Sequence, residues 1–102
     1  MTASGSPFHG PAFDALQVRH WAARMAVDET LAAYQSAKRT LRQPQMLQDR
    51  AALSATRQHV LLSRVAWEDA KREQQDARAA MQLYMREQMA RHNYGRRPRP
   101  DT

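Results

Sequence analysis

The chain has 102 residues, a net charge of +6 and a pI near 10.8, so it forms at most one domain and buries a smaller share of its surface than a larger protein would. It has no cysteine, which excludes a disulfide scaffold, a thiolate metal site and a cysteine nucleophile. Nothing in it approaches the roughly 20 apolar residues of a membrane span, since the longest candidate, Val60 to Trp67, is interrupted by Ser63 and Arg64.

Much of the 42% hydrophobic fraction is alanine, which fills helix contacts but contributes little buried area. Glycines, prolines and β-branched residues are few in the interior of the sequence, which therefore favours helix and offers almost no turn chemistry for a sheet. The expected class is all-α, with two long helices. Arginine supplies nearly all the positive charge, because only Lys38 and Lys71 are lysines. That excess suits anionic partners, although a GC-rich genome would also raise arginine without regard to function.

Residues 1–10 read as an irregular arm, with Ser4, Gly5, Ser6, Pro7 and Gly10. They lack the basic start and apolar stretch of a secretory signal, and Asp14 is out of place in a transit peptide, so no cleaved address is expected. An uncleaved mitochondrial protein is compatible with the sequence. Pro11 suits the first turn of a helix, and helix one is expected to run from about 11 to 42. Phe13, Leu16, His20, Ala23, Val27, Thr30, Tyr34, Ala37 and Leu41 recur at alternating steps of three and four, the seam of a coiled-coil-like helix. Val18, Trp21 and Met25 form a second apolar patch on roughly the opposite side.

Pro44 has no amide hydrogen and pushes Gln43 out of helical geometry, which puts the turn at 43–45. Helix two is then expected over about 45–93. Its seam is Met46, Leu53, Val60, Trp67, Gln74 and Met81 at steps of seven, supported by Thr56, Ser63, Ala70, Ala77 and Tyr84. An antiparallel hairpin joins the two stripes; a single kinked rod is the alternative. If the chain folds at Pro44, helix one covers helix two only to about residue 74 at about 1.5 Å per residue. Met81, Tyr84, Met85 and Met89 would then overhang as an apolar stripe suited to a partner helix, unless the arm covers it through Phe8. Residues 94–102 are expected to form an extended basic tail carrying Arg96, Arg97 and Arg99.

A column at intervals of seven, Arg50, Arg57, Arg64, Lys71 and Arg78, lines one face beside the seam of helix two. Arg64 and Lys71 can reach Glu68, while Arg50, Arg57 and Arg78 have no acid three or four positions away. Such a rail is either a seam-flanking column with its charges in water or a contact for a partner's carboxylates or phosphates. Lys38, Arg39 and Arg42 complement the dipole at the end of helix one.

No catalytic constellation is present. His9, His20, His59 and His92 lack the paired spacing of a zinc helix, and Asp69, Glu73 and Asp76 read as a charged, solvated face. The chain is therefore expected to be a non-enzyme without cofactor or metal. Its expected role is that of a structural or accessory subunit, docked through Val18, Trp21, Met25, Met81, Tyr84, Met85 and Met89 onto other protein subunits of a large assembly. An organellar respiratory complex, a ribosome or a cytoskeletal array would suit, and self-association is the simplest variant. The alternative is binding to RNA through Arg50, Arg57, Arg78, Arg96, Arg97 and Arg99. Peripheral membrane attachment through Phe13 to Met25 ranks third, and membrane contact is not the expectation.

Overall fold

The computed structural model describes residues 10–94. Helix α1 spans Pro11–Leu41, a 3-10 turn spans Pro44–Gln48, and helix α2 spans Arg50–Tyr94. The chain is all-α and the two helices pack against each other as an elongated antiparallel hairpin, with extents of 82 × 31 × 15 Å. The smallest dimension shows how thin the molecule is, because one helix with its side chains is about 10–12 Å across.

Local chemistry explains the ends. Gly10 precedes α1 with φ of 111°, a conformation that only glycine adopts at little cost, and Pro11 occupies the first helical position. Gln43 is extended at φ −70° and ψ 135°, as a residue before proline should be. Pro44 does not end in a simple turn, however: it opens the 3-10 segment, and α2 begins only at Arg50. Asp49 supplies the start signal. Its side-chain Oδ1 accepts the backbone N–H of Ala52 at 3.1 Å, and its carbonyl accepts the N–H of Leu53 at 2.9 Å, an N-cap in the usual sense. Thr56 Oγ1 lies 3.5 Å from Met46 Sδ, which holds the 3-10 turn against the first turns of α2.

The link between the α-helices therefore occupies 42–49, longer than the expected 43–45, and helix two starts at 50 instead of 45. This shift corrects the expected coverage. The Phe13 and Tyr84 rings meet with centroids 6.0 Å apart, so α1 covers α2 to about Tyr84 and not only to residue 74. The uncovered part of α2 shrinks to its last ten residues, nearly three turns or about 15 Å. Tyr94, expected as the first residue of the tail, is the last of α2; the rest of the tail and most of the N-terminal arm, Phe8 included, lie outside the described residues.

Every seam position named from the heptad pattern is buried or half-buried. Its internal order follows from side-chain size. Calling Phe13, His20, Val27, Tyr34 and Leu41 position a, with Leu53, Val60, Trp67, Gln74 and Met81 on α2, the buried residues Ala23, Ala37, Ser63 and Ala77 all fall at position d. Extending the Phe13–Tyr84 register sets Ala77 opposite His20, Ala37 opposite Val60, and Ser63 opposite Tyr34. Large faces small in layer after layer, and no large side chain becomes fully buried. Thr30 is tolerated in the seam because its hydroxyl donates to the Ala26 carbonyl at 2.6 Å. Tyr34 and Trp67 stack at 5.6 Å near the middle of the hairpin, and Trp67 Nε1 is buried without a partner among the described residues.

Ala77 is 0% exposed, so Ala77→Leu should push the helices apart and cost about 1–3 kcal/mol, read as a lower thermal midpoint with helicity retained at low temperature. Asp49→Ala should cost about 1 kcal/mol and increase amide hydrogen exchange in the first turn of α2 while the centre of the hairpin keeps its protection.

Candidate functional site

The described surface carries apolar patches and one basic edge. On α1, Val18, Trp21 and Met25 point away from α2, and Trp21 is 63% exposed. The expected patch is thus displayed to solvent as its angular position requires. A second patch was not read from the sequence: Leu61, Leu62 and Val65 on α2 are all exposed, Leu62 by 60%. The heptad count could have found it, because these residues fall at the outer positions b, c and f of a helix whose a and d positions were already assigned.

The methionine stripe divides. Met81 and Tyr84 belong to the interhelical seam, Tyr84 against Phe13, because the turn lies farther along the chain than Pro44. They are not free docking residues in this hairpin. Met85 is half-buried and Met89 is 41% exposed; together with Gln82 and Arg86 they line a shallow depression on α2. Leu83 is exposed on the flank.

Arg50, Arg57, Arg64 and Arg78 are all exposed, and none makes an ion pair with another described residue. Lys71 differs from them. Its Nζ pairs with Glu68 at 3.0 Å and sits 3.9 Å from the centre of the Trp67 ring, so the fourth cation of the column is committed to its own helix. Lys71 takes the carboxylate that Arg64 could have reached. Lys38 likewise lies over Tyr34 at 4.4 Å. These two lysines close over the central aromatic stack, where a cation above a ring face is attracted by its quadrupole. Arg96, Arg97 and Arg99 lie outside the described residues.

One polar contact crosses between the helices and was not foreseen. Arg19 donates to Glu73 through Nε at 2.9 Å and Nη2 at 3.1 Å, the bidentate geometry that makes arginine–carboxylate pairs specific. Both residues occupy position g, which face each other in an antiparallel pair, so the heptad phase held this signal too. The hydrogen bond to Arg19, helped by its charge and opposed by partial desolvation, holds the Glu73 carboxyl below its ordinary range. The same hydrogen bond, with the charge of Glu73, raises Arg19. Both side chains are over 40% exposed, so the pair fixes register more than it adds stability.

Asp69 pairs with Arg72 and Glu73 with Arg19, which leaves the expected acidic face of Asp69, Glu73 and Asp76 dispersed among cations. Among the described residues no group of His, Asp and Glu could hold a metal ion, and no helix is long and apolar enough to cross a membrane. His20 sits half-buried in the seam and His59 is exposed beside it. No protein-family model matches the chain, and no curated protein or solved structure shows significant similarity to it.

A depressed carboxylate stabilises the folded form above its unfolded pKa, and that contribution disappears as pH falls through the folded value. Hairpin stability should therefore decline in acid, below the ordinary Glu range, more in the wild type than in Glu73→Gln. Urea melts followed by circular dichroism from neutral to strongly acidic pH should show the two chains converging at the acid end.

Proposed function

We propose that this chain is a non-catalytic accessory subunit that docks by its helices onto a larger multi-protein assembly. An organellar respiratory complex, a ribosome or a cytoskeletal array would be of the required kind. The observation that carries the reading is the state of its core: no large side chain is fully buried, while Val18 and Trp21 on one helix and Leu61, Leu62 and Val65 on the other stand exposed. A molecule two helices thick cannot bury both faces of either helix. Its exposed apolar surface is of the kind that marks interaction sites in soluble proteins, and the exposed tryptophan is of the residue type most often found at the centre of an interface.

Binding to RNA is the second reading, favoured by the four arginines of the α2 column that lack an internal carboxylate. It accounts for the charge and leaves both apolar patches without a role.

Sedimentation of the tagged full-length chain in native extracts of its own cells tests the first reading. The chain should travel with particles many times its 11.7 kDa, and Trp21→Asp combined with Leu62→Asp should release it to the top of the gradient. Glu87→Gln, an isosteric change at an exposed g position away from both patches, should leave it in place. A wild-type chain that stays monomeric in the extract and unfolds cooperatively by itself would sink the proposal.

A further inference from the structure

The charge of the hairpin is distributed on one side. In an antiparallel pair, the e positions of both helices line one long edge and the g positions line the other. Contacts identify each edge: Arg24 and Arg78 line one depression with His20, Gln74 and Gln75, while the Arg19–Glu73 pair bridges the opposite side. On α2 the e positions are Arg50, Arg57, Arg64, Lys71, Arg78, Met85 and His92, and on α1 they include Arg24 and Lys38. No e position in the described hairpin carries a carboxylate. The g edge is mostly alanine, with Arg19 its single Lys or Arg. Residues 10–94 hold thirteen Lys and Arg against nine Asp and Glu, so the seven cations of the e edge exceed the net positive charge of the whole hairpin.

This edge is also not purely polar. Leu31 is an e residue on α1 and is half-buried, Leu61 is exposed between Arg57 and Arg64, and Trp21 stands one turn from Arg24. Successive cations of α2 are separated by about 10.5 Å, nearly two turns of helix, over about 42 Å of its length, and the row drifts by only about 20° per heptad.

We propose that this edge is the seat of a third helix: an amphipathic partner segment whose apolar stripe meets Leu31, Leu61 and Trp21 and whose carboxylates recur every seven residues. The spacing is the reason for choosing a helix, since only a heptad pattern on the partner repeats at the same interval as the arginines. A second copy of the chain does not fit, because the same edge would set seven cations against seven. A nucleic-acid duplex fits less well, because its phosphates would meet the cations but offer nothing to the leucines or to Trp21. The inference rests on the docking role proposed above and names the chemistry of the docked element.

Fluorescence anisotropy with defined probes tests it on the full-length chain. The probes are a four-heptad helical peptide with Leu at a and d and Glu at e and g, the same peptide with Gln for Glu, and a mixed-sequence RNA duplex. The Glu peptide should bind at least tenfold more tightly than the Gln peptide. Arg57→Gln with Arg64→Gln should weaken it by about tenfold or more, while Arg39→Gln with Arg86→Gln, on the outer faces, should change it less than about twofold. Circular dichroism confirms that each variant remains helical. Equal binding of the Glu and Gln peptides, or equal loss from both pairs of substitutions, overturns the proposal. So does tighter binding of the RNA duplex that depends on Arg57 and Arg64 and falls steeply between ~50 and ~200 mM salt. Release from the native assembly by the Trp21 and Leu62 substitutions, with none by the Arg57 and Arg64 pair, would leave docking intact and remove this edge from it.

Discussion

The distance between the two helices governs this structure. Alanine and serine at d positions let α1 and α2 approach closely through the middle of the hairpin, where His20, Tyr34 and Val60 are each set against a small residue, while Phe13 meets Tyr84 at its open end. The arrangement satisfies packing along the hairpin without a thick core. Its consequence is that large side chains are half-buried between two helices and then meet solvent at the edges, as Tyr34, Val60 and Trp67 do. Adding a third layer would complete their burial; within the hairpin, the ammonium groups of Lys38 and Lys71 lie over the Tyr34 and Trp67 rings.

The same constraint connects stability to interaction. A two-helix seam whose large side chains are only half-buried, and whose fully buried positions are alanine and serine, provides modest hydrophobic stabilisation, because burial scales with apolar area at about 25 cal/mol per Å². The remaining apolar area lies outside the seam, on Val18 and Trp21 and on Leu61, Leu62 and Val65. Covering those patches would supply burial that the hairpin by itself lacks, so association and folding draw on the same surface. The polar asymmetry adds direction. The g edge is mostly alanine and bridged by Arg19 and Glu73, whereas the e edge holds four α2 arginines that make no ion pair with another described residue, alongside exposed leucine.

The heptad pattern made the seam legible residue by residue, because a period of three and four leaves little freedom about which side chains face a neighbouring helix. Misplacing the turn carried a cost out of proportion to its size. Pro44 is a strong signal that α1 has ended, but a proline can also open a new helical segment, and the 3-10 turn with its Asp49 cap occupies the residues in between. A shift of a few residues at the turn doubles along the antiparallel partner. That doubling moved Met81 and Tyr84 from a presumed overhang into the seam and shortened the uncovered end of α2.

The sequence alone determined the helical class, the two seams, the outward placement of Trp21 and the heptad column of arginines, since each follows from backbone propensity and a fixed angle of about 100° per residue. Only the tertiary structure decided the register. Which a residue meets which d residue depends on where the chain reverses and on whether the side chains fit, and both are set by contacts between residues far apart in sequence. Register in turn paired Arg19 with Glu73, placed Arg24 beside Arg78, and gathered the cations of two helices onto one edge. No single-helix reading contains that edge, because it exists only where two helices lie together.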